Sequence, residues 1–157
     1  MTTFTLEPIG EADFAFRYRV YEAAIKPYID ELFGWDETTH RAFIRDNLTA
    51  NSNHVAIVID GERVGIAQIE ETDDRISLHQ IEILPAYQGR GSGAGLIRSL
   101  QERSVATGKP IHLSVFHLNV DARRLYERLG FREVSATERD VQMIWTPPGG
   151  QGGWGGA

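Results

Sequence analysis

A glycine-rich segment, Gln88-Gly89-Arg90-Gly91-Ser92-Gly93, has a composition that directly suggests a chemical role. Glycines allow successive backbone N–H groups to turn toward one anion, and a helix that starts after such a turn adds partial positive charge. A Cβ atom here would hold the backbone away from phosphate oxygens, while Arg90 can add a charged contact at the rim. The segment therefore predicts a site for a phosphate or pyrophosphate group, with a ligand-free flexible turn as the alternative.

Two common nucleotide-binding motifs do not fit this segment. A dinucleotide fold places Gly-x-Gly-x-x-Gly near its first strand, with an acidic residue about 20 positions later. Here the glycines follow the predicted fourth strand. A P-loop ends in Gly-Lys-Ser/Thr, which the segment lacks. The segment is thus neither a dinucleotide-binding loop nor a P-loop.

Two side chains that could accept a proton, His79 and Glu82, lie on the predicted strand before the loop. Strand alternation puts His79 and Ile83 on one face and Glu82 on the other, so only one of the two should face a site, unless a bulge breaks the register. Apolar neighbours could raise the pKa of Glu82. Both residues stay candidates for a general base. Either could instead be structural, His79 through a hydrogen bond and Glu82 through an arginine.

The elements that must position these residues follow from local patterns. Strands are predicted near residues 4–6, 54–59, 64–69, 76–84, 111–116, 131–134 and 141–145. Helices are predicted over 11–25, 38–49 and 119–129, and a further long helix, marked by Leu96, Ile97, Leu100 and Val105, should follow the glycine-rich turn and end near Gly108. Asp60-Gly61 predicts a type I′ hairpin turn, and Pro27 is expected to end the first helix. Asn119 and Gly130 are expected to open and close the last helix.

Composition bounds the class of protein. The chain has 157 residues, 41% of them apolar, which suits one domain over residues 1–146, and a glycine-rich tail over 147–157 that we expect to be disordered. The net charge of −6 argues against nucleic-acid binding. The absence of cysteine excludes thiolate chemistry, and no metal is expected. No basic and apolar leader or membrane span is evident, so we expect a cytoplasmic, soluble protein.

Two motifs resemble those of the GNAT superfamily of N-acetyltransferases. Gln88, Gly91 and Gly93 match the pattern Gln/Arg-x-x-Gly-x-Gly/Ala, preceded by the usual proline and aromatic residue. The segment from Asn119 to Phe131 is similar to the family's Asn-x-x-Ala-x-x-x-Tyr-x-x-x-Gly-Phe element. The resemblance covers about Val55 to Trp145. It implies an α/β (α+β) fold, with a mixed, mostly antiparallel sheet of six to seven strands and about four helices.

The resemblance also implies a reaction and a set of site residues. It implies direct transfer of the acetyl group of acetyl-CoA to a primary amine of a small molecule or peptide. Tyr126 would act as the general acid toward the departing sulfur, and Asn119 would hold the pantetheine arm or start the helix. The spacing 126 − 119 = 7 places both on one helical face. The Ile83 N–H would stabilise the oxyanion at the point where the strand splays. The implied cofactor-binding residues are Ile83, Leu84, Gln88, Gly89, Arg90, Gly91, Ser92, Gly93, Asn119 and Tyr126.

The acceptor is expected to bind near the aromatic and acidic segment that includes Tyr28, Phe33 and Trp35. Aromatic faces and carboxylates attract cations, so an amine on a hydrophobic body would fit there. These residues could instead be core or homodimer contacts. The competing function is a CoA-binding regulatory or interaction domain without turnover.

Overall fold

The computed structural model describes residues 4–32, 34–48 and 53–149, and within these ranges the chain forms seven strands and four α-helices. The strands are Phe4–Pro8 (β1), His54–Ile59 (β2), Glu62–Glu71 (β3), Ile76–Ile83 (β4), Ile111–Phe116 (β5), Arg132–Ala136 (β6) and Asp140–Trp145 (β7). The helices are Phe14–Leu32 (α1), Glu37–Asn47 (α2), Ser92–Thr107 (α3) and Val120–Arg128 (α4).

The seven strands form one mixed sheet in the order β1-β2-β3-β4-β5-β7-β6. The pairs β1–β2, β2–β3, β5–β7 and β6–β7 are antiparallel, whereas β4 and β5 are parallel over Ile76–Leu78 and Ile111–Leu113. A parallel pair needs a crossover connection, which α3 supplies. The predicted mixed, mostly antiparallel sheet with four helices is confirmed.

The described chain divides into two compact units. The first comprises the described residues of Met1–Gln68 and Gln80–Ser92, and the second those of Ile69–His79 and Gly93–Ala157. The single domain over residues 1–146 stays a prediction. Of the predicted disordered tail, residues 150–157 lie outside the described residues.

In the first unit, α1 and α2 pack on the strands through a buried apolar core. Its members are Ile9, Tyr18, Val20, Tyr21, Ile44, Leu48, Ala56, Val58, Ile66 and Leu84. The turn between β2 and β3 has positive φ at Asp60 (51°) and Gly61 (84°), which confirms the predicted type I′ hairpin.

The predicted end of the first helix at Pro27 is wrong, because α1 continues through Pro27 to Leu32. An interior proline removes one backbone hydrogen bond and clashes with the preceding turn, at a cost of about 3 kcal/mol. We infer that packing outweighs this local penalty. The turns before Pro27 bury Tyr18, Val20 and Tyr21 in the core.

In the second unit, β4, β5, β7 and α3 each contribute fully buried apolar side chains. They include Ile76, Leu96, Ile97, Ile111, Val141 and Met143. Both predicted ends of α4 are confirmed. The Asn119 side chain accepts a hydrogen bond from the Ala122 N–H at 3.2 Å, and Gly130 has a φ of 98°.

Among the described helices, none is long and apolar enough to cross a membrane.

Candidate active site

The glycine-rich loop connects the end of β4 to α3. After Ile83 the chain passes Leu84 and a single 3-10 turn at Pro85–Tyr87, then turns through residues 88–91 before α3 begins at Ser92. Gly89 and Gly91 have φ values of 75° and 81°, and a Cβ at either position would meet no protein atom within 4 Å. Glycine is therefore required here by backbone conformation, and the space beside both residues is open to a ligand.

Two polar side chains brace this loop from within. The Gln88 amide donates to the Ile83 carbonyl at 2.9 Å, and the Ser92 hydroxyl donates to the Tyr87 carbonyl at 3.4 Å. The Arg90 guanidinium lies 5.7 Å from the centre of the Tyr87 ring. In this structure Gln88 and Ser92 thus fix the shape of the predicted anion site, and Arg90 supplies positive charge at its edge.

Gly65 on β3 allows an unusually close approach to β4. A Cβ on Gly65 would lie 2.3 Å from the Glu82 carbonyl oxygen and 3.1 Å from the Ile83 Cα. The Leu84 N–H donates to the Val64 carbonyl at 2.9 Å beside this contact. Gly65 therefore positions the last residues of β4. The sequence does carry a signal for this role, because a glycine inside a predicted strand often marks a close approach of another backbone.

Glu82 forms a buried ion pair with an arginine, which is the structural alternative expected for it, and the arginine is Arg17. The Arg17 Nη1 atom of α1 lies 2.9 Å from Glu82 Oε1, with side chains 0% and 7% exposed. Arg17 Nη2 also donates to the Gln80 side-chain oxygen at 3.3 Å. One signal in the sequence could have indicated Arg17 as the partner, because it lies at helical spacing on the same face as Val20 and Tyr21, which are both buried.

Burial dominates the electrostatics of this cluster. It raises the pKa of Glu82, while the nearby Arg17 acts in the opposite direction. Burial also lowers the pKa of Arg17. His54, 2% exposed and with neither ring nitrogen hydrogen-bonded to a described residue, has its pKa lowered to about 4 by burial and by the charge of Arg17.

His79 lies in a different environment. Its Nε2 atom is 3.0 Å from the Glu70 carboxylate, and its side chain is 47% exposed. The side chains of Glu82 and Gln80 both form hydrogen bonds with Arg17 and therefore lie on one face of β4. Because side chains alternate along a strand, His79 lies on the other face. The predicted placement of the two base candidates on opposite faces of β4 is confirmed. Their catalytic roles stay predictions.

Tyr126 and Asn119 belong to the second unit. Tyr126 is 5% exposed, its ring centre lies 5.8 Å from that of Phe131, and burial raises the pKa of its hydroxyl to about 12. Within the described part of the chain, that hydroxyl has no hydrogen-bond partner. Asn119 is exposed and caps α4. The hydroxyl of Tyr126 is thus protonated at neutral pH.

The predicted acceptor residues are described only in part. Trp35 is half-buried and stacks on His40, with ring centres 3.9 Å apart, and His40 Nδ1 lies 2.9 Å from the Tyr21 hydroxyl. Trp35 therefore belongs to an aromatic cluster. Tyr28 lies on α1 with its side chain outside the described part, and Phe33 lies outside the described residues.

A cleft of about 540 Å³ lies between one face of α1 and the segment before the loop. Its helical lining is Arg19, Glu22, Ala23, Lys26, Pro27 and Asp30, and its other wall is Leu84, Pro85, Ala86 and Tyr87. The second wall leads directly into Gln88. The cleft and the glycine-rich loop thus share one stretch of backbone in the first unit.

Within the described residues, no group of three or more His, Asp or Glu side chains is placed to hold a metal ion.

A mixed sheet with a glycine-rich loop after its fourth strand, and a capped helix that carries a buried tyrosine, form the arrangement expected of an N-acetyltransferase. The match to known families is direct. Residues 17–131 fit the model of the acetyltransferase (GNAT) family, and this chain belongs to that family.

Two relatives match over more than two thirds of their own length. The N-alpha-acetyltransferase RimI of Mycobacterium tuberculosis is 33% identical over 110 residues, which cover 68% of each chain. The [ribosomal protein bS18]-alanine N-acetyltransferase of Haemophilus influenzae is 30% identical over 133 residues, which cover 82% of each chain.

Solved structures show the same fold at low identity. The PaiA N-acetyltransferase of Thermoplasma acidophilum, in complex with coenzyme A, has a TM-score of 0.71 and 14% identity over 92% of this chain and 99% of its own. The ribosomal-protein-S18-alanine N-acetyltransferase of Escherichia coli has a TM-score of 0.66 and 23% identity, over 92% of this chain and 94% of its own. The predicted superfamily, the predicted enzyme class and acetyl-CoA as the family's acetyl donor are confirmed.

Proposed function

We propose that this protein transfers the acetyl group of acetyl-CoA to the α-amino group of a peptide or protein. Of two relatives that match more than two thirds of the chain, one is named an N-alpha-acetyltransferase and the other a [ribosomal protein bS18]-alanine N-acetyltransferase. The observation that carries the proposal is the shared segment 84–88, which ends one wall of the cleft where the glycine-rich loop begins. An acceptor in the cleft and a pyrophosphate on the loop would lie on the same stretch of backbone.

The ionisation of the acceptor supports an α-amine. With a reference pKa of 7.7 to 8.0, about 10 to 20% of an α-amine is neutral at pH 7, against about 0.04% of an alkyl amine with a pKa near 10.4. Both base candidates are paired in this structure, Glu82 with Arg17 and His79 with Glu70, so we propose that the proton is accepted as the amine attacks and not removed from a cationic amine beforehand. An α-amine, which is partly neutral before it binds, suits a site of this kind.

The charges of the cleft suit a peptide. Glu22 and Asp30 offer carboxylates to a cationic N-terminus, and Arg19 and Lys26 offer partners for carbonyl or acidic groups farther along a chain. The apolar wall of Leu84, Pro85 and Ala86 would pack against a side chain. A small polyamine would leave the two basic side chains without partners.

In the proposed reaction the neutral amine attacks the thioester carbonyl, the C–S bond breaks, and CoA leaves as a thiolate that takes up a proton from water after its release. The Ile83 N–H is proposed as the oxyanion donor, and Glu82, in preference to His79, as the acceptor of the amine proton. Glu82 is favoured because it directly precedes Ile83 and is buried. Loop residues 88–93 would bind the pyrophosphate, and Leu84 and Asn119 would contact the pantetheine arm.

Tyr126 would act toward the sulfur mainly as a hydrogen-bond donor. Its pKa of about 12 lies far above that of a thiol. Complete proton transfer to a thiolate with an ordinary pKa of about 8.5 would be uphill by about 5 kcal/mol. A donated hydrogen bond that strengthens as negative charge develops needs no such transfer.

The test is acetyl transfer to a panel of peptides with free N-termini, followed by release of free thiol and by mass spectrometry. Matched peptides with blocked N-termini, and spermine, serve as alternative acceptors. We expect product only with the free peptides. Tight acetyl-CoA binding without thiol release from any acceptor would contradict the proposal and favour a CoA-binding domain without turnover.

Substitution of the loop tests the donor site in the same assay. Gly91→Val should weaken acetyl-CoA binding by at least about tenfold, because valine is strained at positive φ and its side chain fills the open space. Gly108→Val is the matched control, since Gly108 has a similar φ of 76° outside the loop. Equal loss of binding in both variants would indicate general destabilisation.

A further inference from the structure

The pair of Arg17 and Glu82 links two elements of the proposed site. Arg17 comes from α1, whose next turns line the cleft, and Glu82 comes from the end of β4, which leads into the loop. The guanidinium makes two contacts with this strand, to Glu82 at 2.9 Å and to Gln80 at 3.3 Å. Arg17 is completely buried. One side chain thus fixes both polar residues on one face of β4.

Stability alone does not explain this arrangement. Burying two charges removes their hydration, and the attraction between them in the interior often only offsets that loss. Well-packed apolar residues of similar volume commonly serve a core equally well. A buried pair with a second hydrogen bond, placed beside the loop, is therefore better explained by a need to orient the carboxylate.

We propose that Arg17 is a positioning residue for the transfer reaction, holding Glu82 as an oriented carboxylate at the end of β4. This inference rests on the proposed function, in which Glu82 accepts the proton of the amine. Burial raises the pKa of Glu82 and the guanidinium opposes that rise, so its removal should favour the neutral form, which cannot accept a proton. With the guanidinium in place, the ionised form of Glu82 is favoured and its rotamer is held by the contact at 2.9 Å.

The groups around Glu82 are few and belong to three elements. Arg17 and Tyr21 approach from α1, and the Tyr21 ring centre lies 5.7 Å from the Arg17 guanidinium. Gln80 approaches from β4 itself. His54 on β2 lies close enough to feel the charge of Arg17 and is neutral at physiological pH. Arg17 is therefore the cation that opposes protonation of Glu82 in this cluster.

The experiment measures kcat/KM for peptide acetylation against pH in wild type, Arg17→Met, Glu82→Gln and the double variant. In Arg17→Met the acidic limb of the profile of kcat/KM against pH should move to higher pH by at least about one unit. The reason is that an adjacent opposite charge typically shifts a carboxyl pKa by one to three units. Activity at pH 7 should fall at least tenfold. In the Glu82→Gln background, the same substitution should change activity less than about threefold.

An unmoved acidic limb in Arg17→Met, or equal losses in both backgrounds, would overturn the inference. Arg17→Lys carries the test if Arg17→Met does not fold. Its ammonium keeps the charge but lacks the two-pronged geometry, so we expect a smaller upward shift with partial activity. Lowered activity with an unmoved limb would again contradict the role. Arg63→Met, which removes an arginine paired with Glu7 and Asp13 at the surface of the same unit, should keep the wild-type profile.

A second readout separates this inference from the proposed function. The Glu82 carboxyl can be titrated by carbon-detected NMR in wild type and Arg17→Met without any acceptor. If wild type acetylates no peptide but the Glu82 titration moves upward in the variant, the proposed acceptor is wrong and the positioning of Glu82 stands. An unmoved titration rejects the inference, whatever the activity.

Discussion

His54 provides a stability prediction whose size follows from the structure. The imidazole is 2% exposed, neither of its nitrogens has a described hydrogen-bond partner, and its pKa falls from 6.5 to about 4 in the folded protein. In the unfolded chain the ring takes up a proton near pH 6.5. Below that pH the unfolded state therefore binds more protons than the folded state, and stability declines.

The expected loss is computed from these two pKa values. At 1.36 kcal/mol for each pKa unit, the free energy of unfolding should fall by about 2 kcal/mol between pH 7 and pH 5, and by about 3 kcal/mol by pH 4. Below about pH 3 both states bind the proton, so this contribution should stop changing. The sign is fixed, because the folded-state pKa lies below the unfolded-state value.

The assay is urea unfolding followed by tryptophan fluorescence at pH 7, 6, 5 and 4, in wild type and His54→Leu. Carboxyl groups contribute the same pH dependence to both proteins, so the difference between the two curves isolates the histidine. Wild type should lose about 3 kcal/mol relative to His54→Leu by pH 4. His117→Gln, at an exposed position, is the control and should follow wild type. Parallel curves for wild type and His54→Leu would refute the reasoning.

Three further predictions concern other parts of the molecule. Tyr126→Phe should lower kcat at least about tenfold while acetyl-CoA binding changes less than threefold, as measured by kinetics and calorimetry; equal turnover would reduce Tyr126 to a packing role. Gly65→Ala should destabilise the fold by about 1 to 3 kcal/mol in urea titrations, because its Cβ would lie 2.3 Å from a β4 carbonyl oxygen; unchanged stability would show that β3 and β4 separate easily. Glu71→Gln should cost about 1 kcal/mol at low salt and less at 1 M NaCl, because Glu71 pairs with Arg103 at 2.9 Å and Lys109 at 2.7 Å near the surface; a cost independent of salt would contradict a screened ion pair.

Local chemistry explains which features could be predicted from the sequence. The hairpin at Asp60-Gly61 depends only on two residues that tolerate positive φ, and the ends of α4 depend on the Asn119 cap and on Gly130. The glycine-rich loop is local in the same sense, because Gly89 and Gly91 carry its positive φ values. These features could be predicted because each is determined within a few neighbouring residues.

Other features depend on packing between distant segments and were missed or wrong. Pro27 predicts a helix end locally, but the core contacts of α1 carry the helix past it. The partner of Glu82 is 65 positions away in the sequence, so the spacing of residues on β4 could suggest an arginine partner without identifying Arg17. Gly65 is required by the closeness of β4, which exists only once the strands pair.

The most direct test of the proposed function uses one peptide that carries both a free N-terminus and an internal lysine. The peptide is incubated with the enzyme and acetyl-CoA at pH 7, and fragment mass spectrometry locates the acetyl group. We predict acetylation at the α-amine, because that amine is partly neutral at this pH and the lysine amine is almost entirely protonated. Acetylation at the lysine alone, or none at either amine across the peptide panel, would contradict the proposal.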